Sequence, residues 1–129
     1  MARFYHVDIA RFACGADLKW VDNLLSHFDV PGVERTRQGS SRRLSASGIH
    51  HIALIRTISR NLGVSTGLAV SLATRLLAEG PSKVDIEPAI SLTLDRGTFV
   101  REIDAAIAIA VESIEPARRG RPPRRRSIE

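Results

Sequence analysis

Between His6 and Gly80 the chain is punctuated by Gly15, Pro31-Gly32, Gly63 and Gly80, and most intervals between these breakers carry apolar residues at steps of three and four. That spacing lines one face of a helix, and glycine or proline then ends it, so the chain is confined to short helices joined by tight turns. Val7, Ile9, Ala10, Ala13 and Cys14 fall on one stripe and predict a first helix capped by Gly15. Asp17 is the expected N-cap of a second helix running to about Phe28, with Val21, Leu24, Leu25 and Phe28 facing inward. Beyond Pro31-Gly32, the stretches Val33 to Arg37 and Ser41 to Ser45 flank Gln38-Gly39-Ser40 and read as a β-hairpin bearing Arg35, Arg37, Arg42 and Arg43. Ser47 is expected to cap a third helix to about Leu62, buried through Ile49, Ile52, Ile55, Ile58 and Leu62 and closed by Gly63. Ser65 starts a fourth helix ending near Gly80, its stripe being Leu68, Leu72, Leu76 and Leu77, and the two form a helical hairpin. Ile90 to Asp95 alternates as a half-buried strand does, with Ile90, Leu92 and Leu94 on one face. Thr98 is the expected cap of a fifth helix to about Ile114, carrying Phe99, Ile103, Ile107, Val111 and Ile114, and Pro116 is expected to end the folded part. The fold class is mainly α with a small β component, an α+β chain with no internal repeat.

Composition narrows the function classes. With 129 residues, 43% hydrophobic and 26% charged, the chain has room for one ordinary domain and an added arm. The longest uncharged stretch, Asn61 to Thr74, is too short and too polar to span a bilayer, so no membrane partner is expected. His6, Asp8 and Arg11 interrupt the N-terminus where a signal peptide would be apolar, and Cys14 is a lone cysteine; both point to a reducing cytoplasm. Charge is segmented along the chain. Residues 1–63 hold nine basic and five acidic side chains (+4), residues 64–117 four and eight (−4), and residues 118–129 six and one (+5). A polyanion should therefore meet the two ends and avoid the middle. Arginine far outnumbers lysine, which favours planar, multidentate contacts with phosphates and guanine edges.

Three segments carry a resemblance: Val7 to Gly15, Asp17 to Leu25, and Arg35-Thr36-Arg37-Gln38-Gly39-Ser40-Ser41-Arg42-Arg43-Leu44, followed by the Ile49 to Gly63 helix. This order resembles the winged helix-turn-helix DNA readers of the MerR-type and excisionase-like families over about half of the chain. The resemblance implies a second helix in the major groove, presenting Lys19, Trp20, Asn23 and His27, and a wing whose Arg35, Arg37, Arg42 and Arg43 meet phosphates or the minor groove. Asp22 stands on the exposed face of that helix where a basic residue is usual, and Leu44 stands where an aromatic residue commonly follows the wing arginines.

The segment Arg118 to Arg126 looks like an AT-hook, an Arg-Gly-Arg-Pro core within basic flanks, so Arg119, Gly120, Arg121 and Pro122 are expected to lie along a narrow minor groove. A generic basic tail making sequence-independent phosphate contacts is the alternative reading of the same residues. Candidates for chemistry are few. His50 and His51 are adjacent on a helix and cannot chelate one ion, Cys14 reads as a small core residue, and no phosphate loop, nucleophile elbow or paired catalytic carboxylates occur. No metal, cofactor or enzymatic activity is expected.

The sequence thus predicts a sequence-specific, double-stranded-DNA-binding transcriptional regulator of the bacterial nucleoid, working as a homodimer. Residues 1–80 would be the winged helix-turn-helix domain, 81–116 a strand-helix dimerisation element presenting Ile103, Ile107, Ile109 and Ile114, and 117–129 a disordered arginine-rich tail. The alternative is an antitoxin or excisionase-like architectural protein whose acidic middle segment holds a protein partner.

Overall fold

The computed structural model describes residues 3–34 and 42–119, with side chains to residue 114. The element order is α1 (Val7–Cys14), α2 (Leu18–His27), β1 (Val33–Glu34), β2 (Arg43–Leu44), α3 (Ala46–Leu62), α4 (Thr66–Leu77), β3 (Lys83–Glu87), β4 (Ile90–Thr93) and α5 (Arg96–Arg119). The chain is therefore mainly helical with two small antiparallel sheets, the α+β class that the sequence predicts.

Local chemistry sets the helix ends. Gly15 and Gly63 close α1 and α3 in the left-handed conformation, at φ 64° and 66°. The Ser65 hydroxyl accepts from Leu68 N–H at 3.2 Å and caps α4 as expected. Three expected caps differ. Asp17 sits at the N-cap of α2 without a side-chain cap bond. The cap of α3 is Ser45, not Ser47: its hydroxyl accepts from Gly48 N–H at 3.1 Å while also donating to Gly32 O at 3.0 Å, which starts the helix earlier. Asp95, not Thr98, caps α5, its carboxylate accepting from Thr98 N–H at 3.1 Å. A carboxylate stabilises a helix start better than a hydroxyl because it also offsets the positive end of the dipole. α4 ends at Leu77, short of Gly80.

α1 packs across α5 and α3, α3 lies against α4, and the β3–β4 hairpin docks on α4. One core joins all of these. Ile9, Val21, Leu24, Leu44, Ile49, Ile52, Ile55, Leu76 and Val84 are essentially inaccessible, and each such aliphatic side chain stabilises the fold by about 1.5–3 kcal/mol. Residues 81–116 contribute Val84, Ile107 and Ala110 to that same core, so this segment completes the body formed by the first four helices. β1 and β2 pair as Val33↔Leu44 and Glu34↔Arg43, and Tyr5 adds a bridge to Leu44, with Tyr5 N–H donating to Leu44 O at 2.7 Å. The rest of the expected wing, including Arg35 and Arg37, lies outside the described residues.

Other differences concern which apolar residues face inward. Leu62 and Leu68 are exposed, because the ends of α3 and α4 extend past the body that covers their middles. The strand predicted over Ile90 to Asp95 is β4, paired with β3, a strand the apolar pattern does not announce. Leu92 faces Val84 across the hairpin, but Ile90 lies at the uncovered end and is exposed. Pro116 does not end α5. The helix continues to Arg119.

Candidate nucleic-acid interface

α2 turns Val21, Leu24 and Leu25 into the core, which leaves Lys19, Asn23, Ser26 and His27 exposed. Asp22 and Asn23 stand three and four residues after Lys19 and four and three before Ser26, so the four form a single stripe. His27 is fixed beside it, its Nδ1–H donating to Asn23 O at 2.8 Å, which turns Nε2 outward. Trp20 differs from these. Half-buried against the core, its ring lies under the Arg56 guanidinium at 5.6 Å, so most of its surface serves packing. Trp20, Asn23 and His27 nevertheless border one shallow groove with Leu24, Phe28 and Thr66, where α2 meets the start of α4.

The base of the β1–β2 hairpin is tied to this helix. Arg42 donates from Nη1 to Asp22 Oδ1 at 3.2 Å and from Nη2 to Ser26 Oγ at 3.1 Å. Arg43 pairs with Glu34 at 3.1 Å, and its guanidinium stacks 4.1 Å above the centre of the Phe4 ring. Both described wing arginines thus have partners within the chain. Ser26, in phase with Lys19 and Asn23 on the same helix, is not among the residues that the resemblance implies. The pairing of Asp22 with Arg42 has no local signal, since the two stand 20 residues apart.

Arg119 ends α5, and Gly120, Arg121 and Pro122 lie outside the described residues. Of the residues expected at a dimer contact, Ile107 is a correction: it is buried within the chain's own core and offers no surface to a partner. Ile103 and Ile114 are half-buried against the same core, so their stripe is largely spent on α1 and α3. Ile109 alone points away, at 55% exposure.

Cys14, His50 and His51 serve the packing of the body. Burial pushes the Cys14 thiol up to about 12, against a smaller opposing effect of Arg56, and the thiol donates to Ile49 O at 3.8 Å. It stays protonated and is a poor nucleophile. Burial holds His51 below the ordinary histidine value; its ring bonds Ser47 O at 2.8 Å, which opposes that shift, and neighbouring His50 adds to it. His50 reaches Asp104 at 2.7 Å and links α3 to α5. Among the described residues no group of three His, Cys, Asp or Glu could hold a metal ion, and no helix is long and apolar enough to cross a membrane.

Compared with protein-family models, with curated proteins and with solved structures, the chain matches none. The functional reading therefore rests on the residues themselves.

Proposed function

We propose that this chain is a sequence-specific, double-stranded-DNA-binding transcriptional regulator of winged helix-turn-helix type, acting as a homodimer in the bacterial cytoplasm. α2 enters the major groove with Lys19, Asn23 and His27, and the arginine-bearing hairpin contacts the adjacent backbone. One observation carries this reading: Arg42 fastens the base of the hairpin to the stripe of α2 that presents Lys19 and Asn23, so that base and an exposed polar helix face share one side. The basic ends of the chain and its acidic middle agree with a polyanion approaching from that side. The C-terminal segment, with Arg119, Gly120, Arg121 and Pro122, adds minor-groove or phosphate contacts.

Selection from a randomised duplex pool tests the reading. The wild-type chain should enrich a defined sequence, and Lys19→Ala or Asn23→Ala should each cost about 1–3 kcal/mol on that duplex and much less on random DNA. Failure to enrich any sequence, or equal losses on both duplexes, would overturn it.

A second reading, an antitoxin or excisionase-like architectural protein, draws on the β3–β4 hairpin. There Ile86 and Ile90 are both 56% exposed, beside the exposed acids Asp85 and Glu87, a surface suited to a protein partner. Purification with a stoichiometric second protein that binds through Ile86 and Ile90 would favour it.

A further inference from the structure

Asp22 is the one acid on the polar stripe of α2, and it stands one helical turn before Ser26. The two side chains form a fork around one guanidinium, Asp22 Oδ1 at 3.2 Å from Arg42 Nη1 and Ser26 Oγ at 3.1 Å from Nη2. The ion pair stays open to solvent, with side-chain exposures of 32% for Arg42 and 49% for Asp22. Two consequences follow for an approaching duplex. The charge of Arg42 is already balanced, so the hairpin base attracts phosphate less than its arginines suggest. The carboxylate lies on the stripe itself and repels any phosphate that comes near Lys19 and Asn23. An ion pair this exposed is weak, so a phosphate that is brought close enough can take the place of the carboxylate in a charge-assisted, bidentate contact with the guanidinium.

We infer that Asp22 sets specificity at the DNA-binding face: with Ser26 it holds Arg42 against α2 and withholds that arginine from DNA of arbitrary sequence. The inference rests on the DNA-binding reading above. On a cognate site, base contacts by the neighbouring α2 residues offset the exchange of partners at Arg42. On other sequences nothing offsets it, and the carboxylate acts as a standing penalty. Discrimination of this kind comes from weakening the wrong complex more than the right one. Asp22 is thereby a positioning residue that acts through Arg42.

The test compares wild type, Asp22→Asn, Arg42→Ala and the double variant, each as the full chain with its fold checked by circular dichroism. Binding is measured over a salt series on a random-sequence duplex and on the duplex that the wild type enriches. Asp22→Asn should bind the random duplex roughly two- to fivefold more tightly, with the slope of log affinity against log salt steeper by up to about 0.9. The enriched duplex should gain less, so the specificity ratio falls. In the Arg42→Ala background the same Asp22→Asn change should gain distinctly less than it does with Arg42 present. The inference is overturned by an unchanged affinity and slope, or by equal gains with and without Arg42, which would mean that the carboxylate acts only as a nearby charge. A wild type that binds no duplex overturns the functional reading itself, a result distinct from either of these.

Discussion

Gly32 and Gly48 meet backbone to backbone where the chain turns into the β1–β2 hairpin and then enters α3. A Cβ on Gly48 would stand 2.5 Å from Gly32 O, and one on Gly32, which is also held at φ +86°, would stand 2.3 Å from Gly48 N. Backbone cannot yield as a flexible side chain does, so Gly48→Ala should destabilise the protein by about 1–3 kcal/mol. Denaturant unfolding should show it as a lower midpoint with an unchanged m-value. His51 makes a second prediction at this scale. Its folded form resists protonation because it is buried, whereas the unfolded chain takes up the proton near the ordinary value of 6.5. The unfolded state then binds more protons, so the contribution of His51 is complete above that value and is lost as pH falls below it. Unfolding free energies across this range should therefore decline more steeply in wild type than in His51→Gln; equal slopes would show that His51 is not the group responsible. Sequence alone does not distinguish His51 from His50. They are neighbours on one helix, and only the docking of α5 shows that one is enclosed while the other reaches Asp104.

At the level of elements, periodicity located all five helices, because an apolar stripe needs no knowledge of its partner to be recognised. Their ends were less legible. Ser45 caps α3 in place of the expected Ser47, because Gly32 O anchors it from across the hairpin. β3 escaped notice because Lys83, Asp85 and Glu87 alternate with only two apolar residues, Val84 and Ile86, of which one is exposed. α5 carries the prediction for this scale. Ile109 lies outside the core, so Ile109→Glu should leave the helicity of the protein unchanged. If a second copy packs on this face, sedimentation of the same sample should show half the wild-type mass, with weaker binding to the enriched duplex. A wild-type chain that already sediments as a monomer at micromolar concentration would exclude that contact. Ile107 has no place in such a contact, because it is enclosed in the chain's own core where α5 packs on α1 and α3, while Ile103 and Ile114 on the same stripe keep part of their surface exposed.

For the molecule as a whole, the segmentation of charge is a property of the sequence, but what it does depends on how the segments are brought together. α5, from the acidic segment, packs on α1 and α3 from the basic one, and His50 with Asp104 closes part of that seam. Arg96 similarly joins the start of α5 to the end of α4, donating to Ala78 O and to Gly80 O. The sequence by itself determined the helices, their order, the glycines that end α1 and α3, the α+β class and the exposed side of α2 that bears Lys19, Asn23 and His27. Each of these depends on residues within a turn or two of one another, where covalent geometry dictates which side chains share a face. Only the tertiary structure decided that Leu62 and Leu68 are left uncovered, that Ile107 is interior and Ile109 is not, and that Arg42 is held by Asp22 and Ser26. Periodicity fixes where a side chain points relative to its own helix. What it meets there depends on the docking of elements far apart in the chain, because close packing admits only the arrangement in which all of their faces fit together.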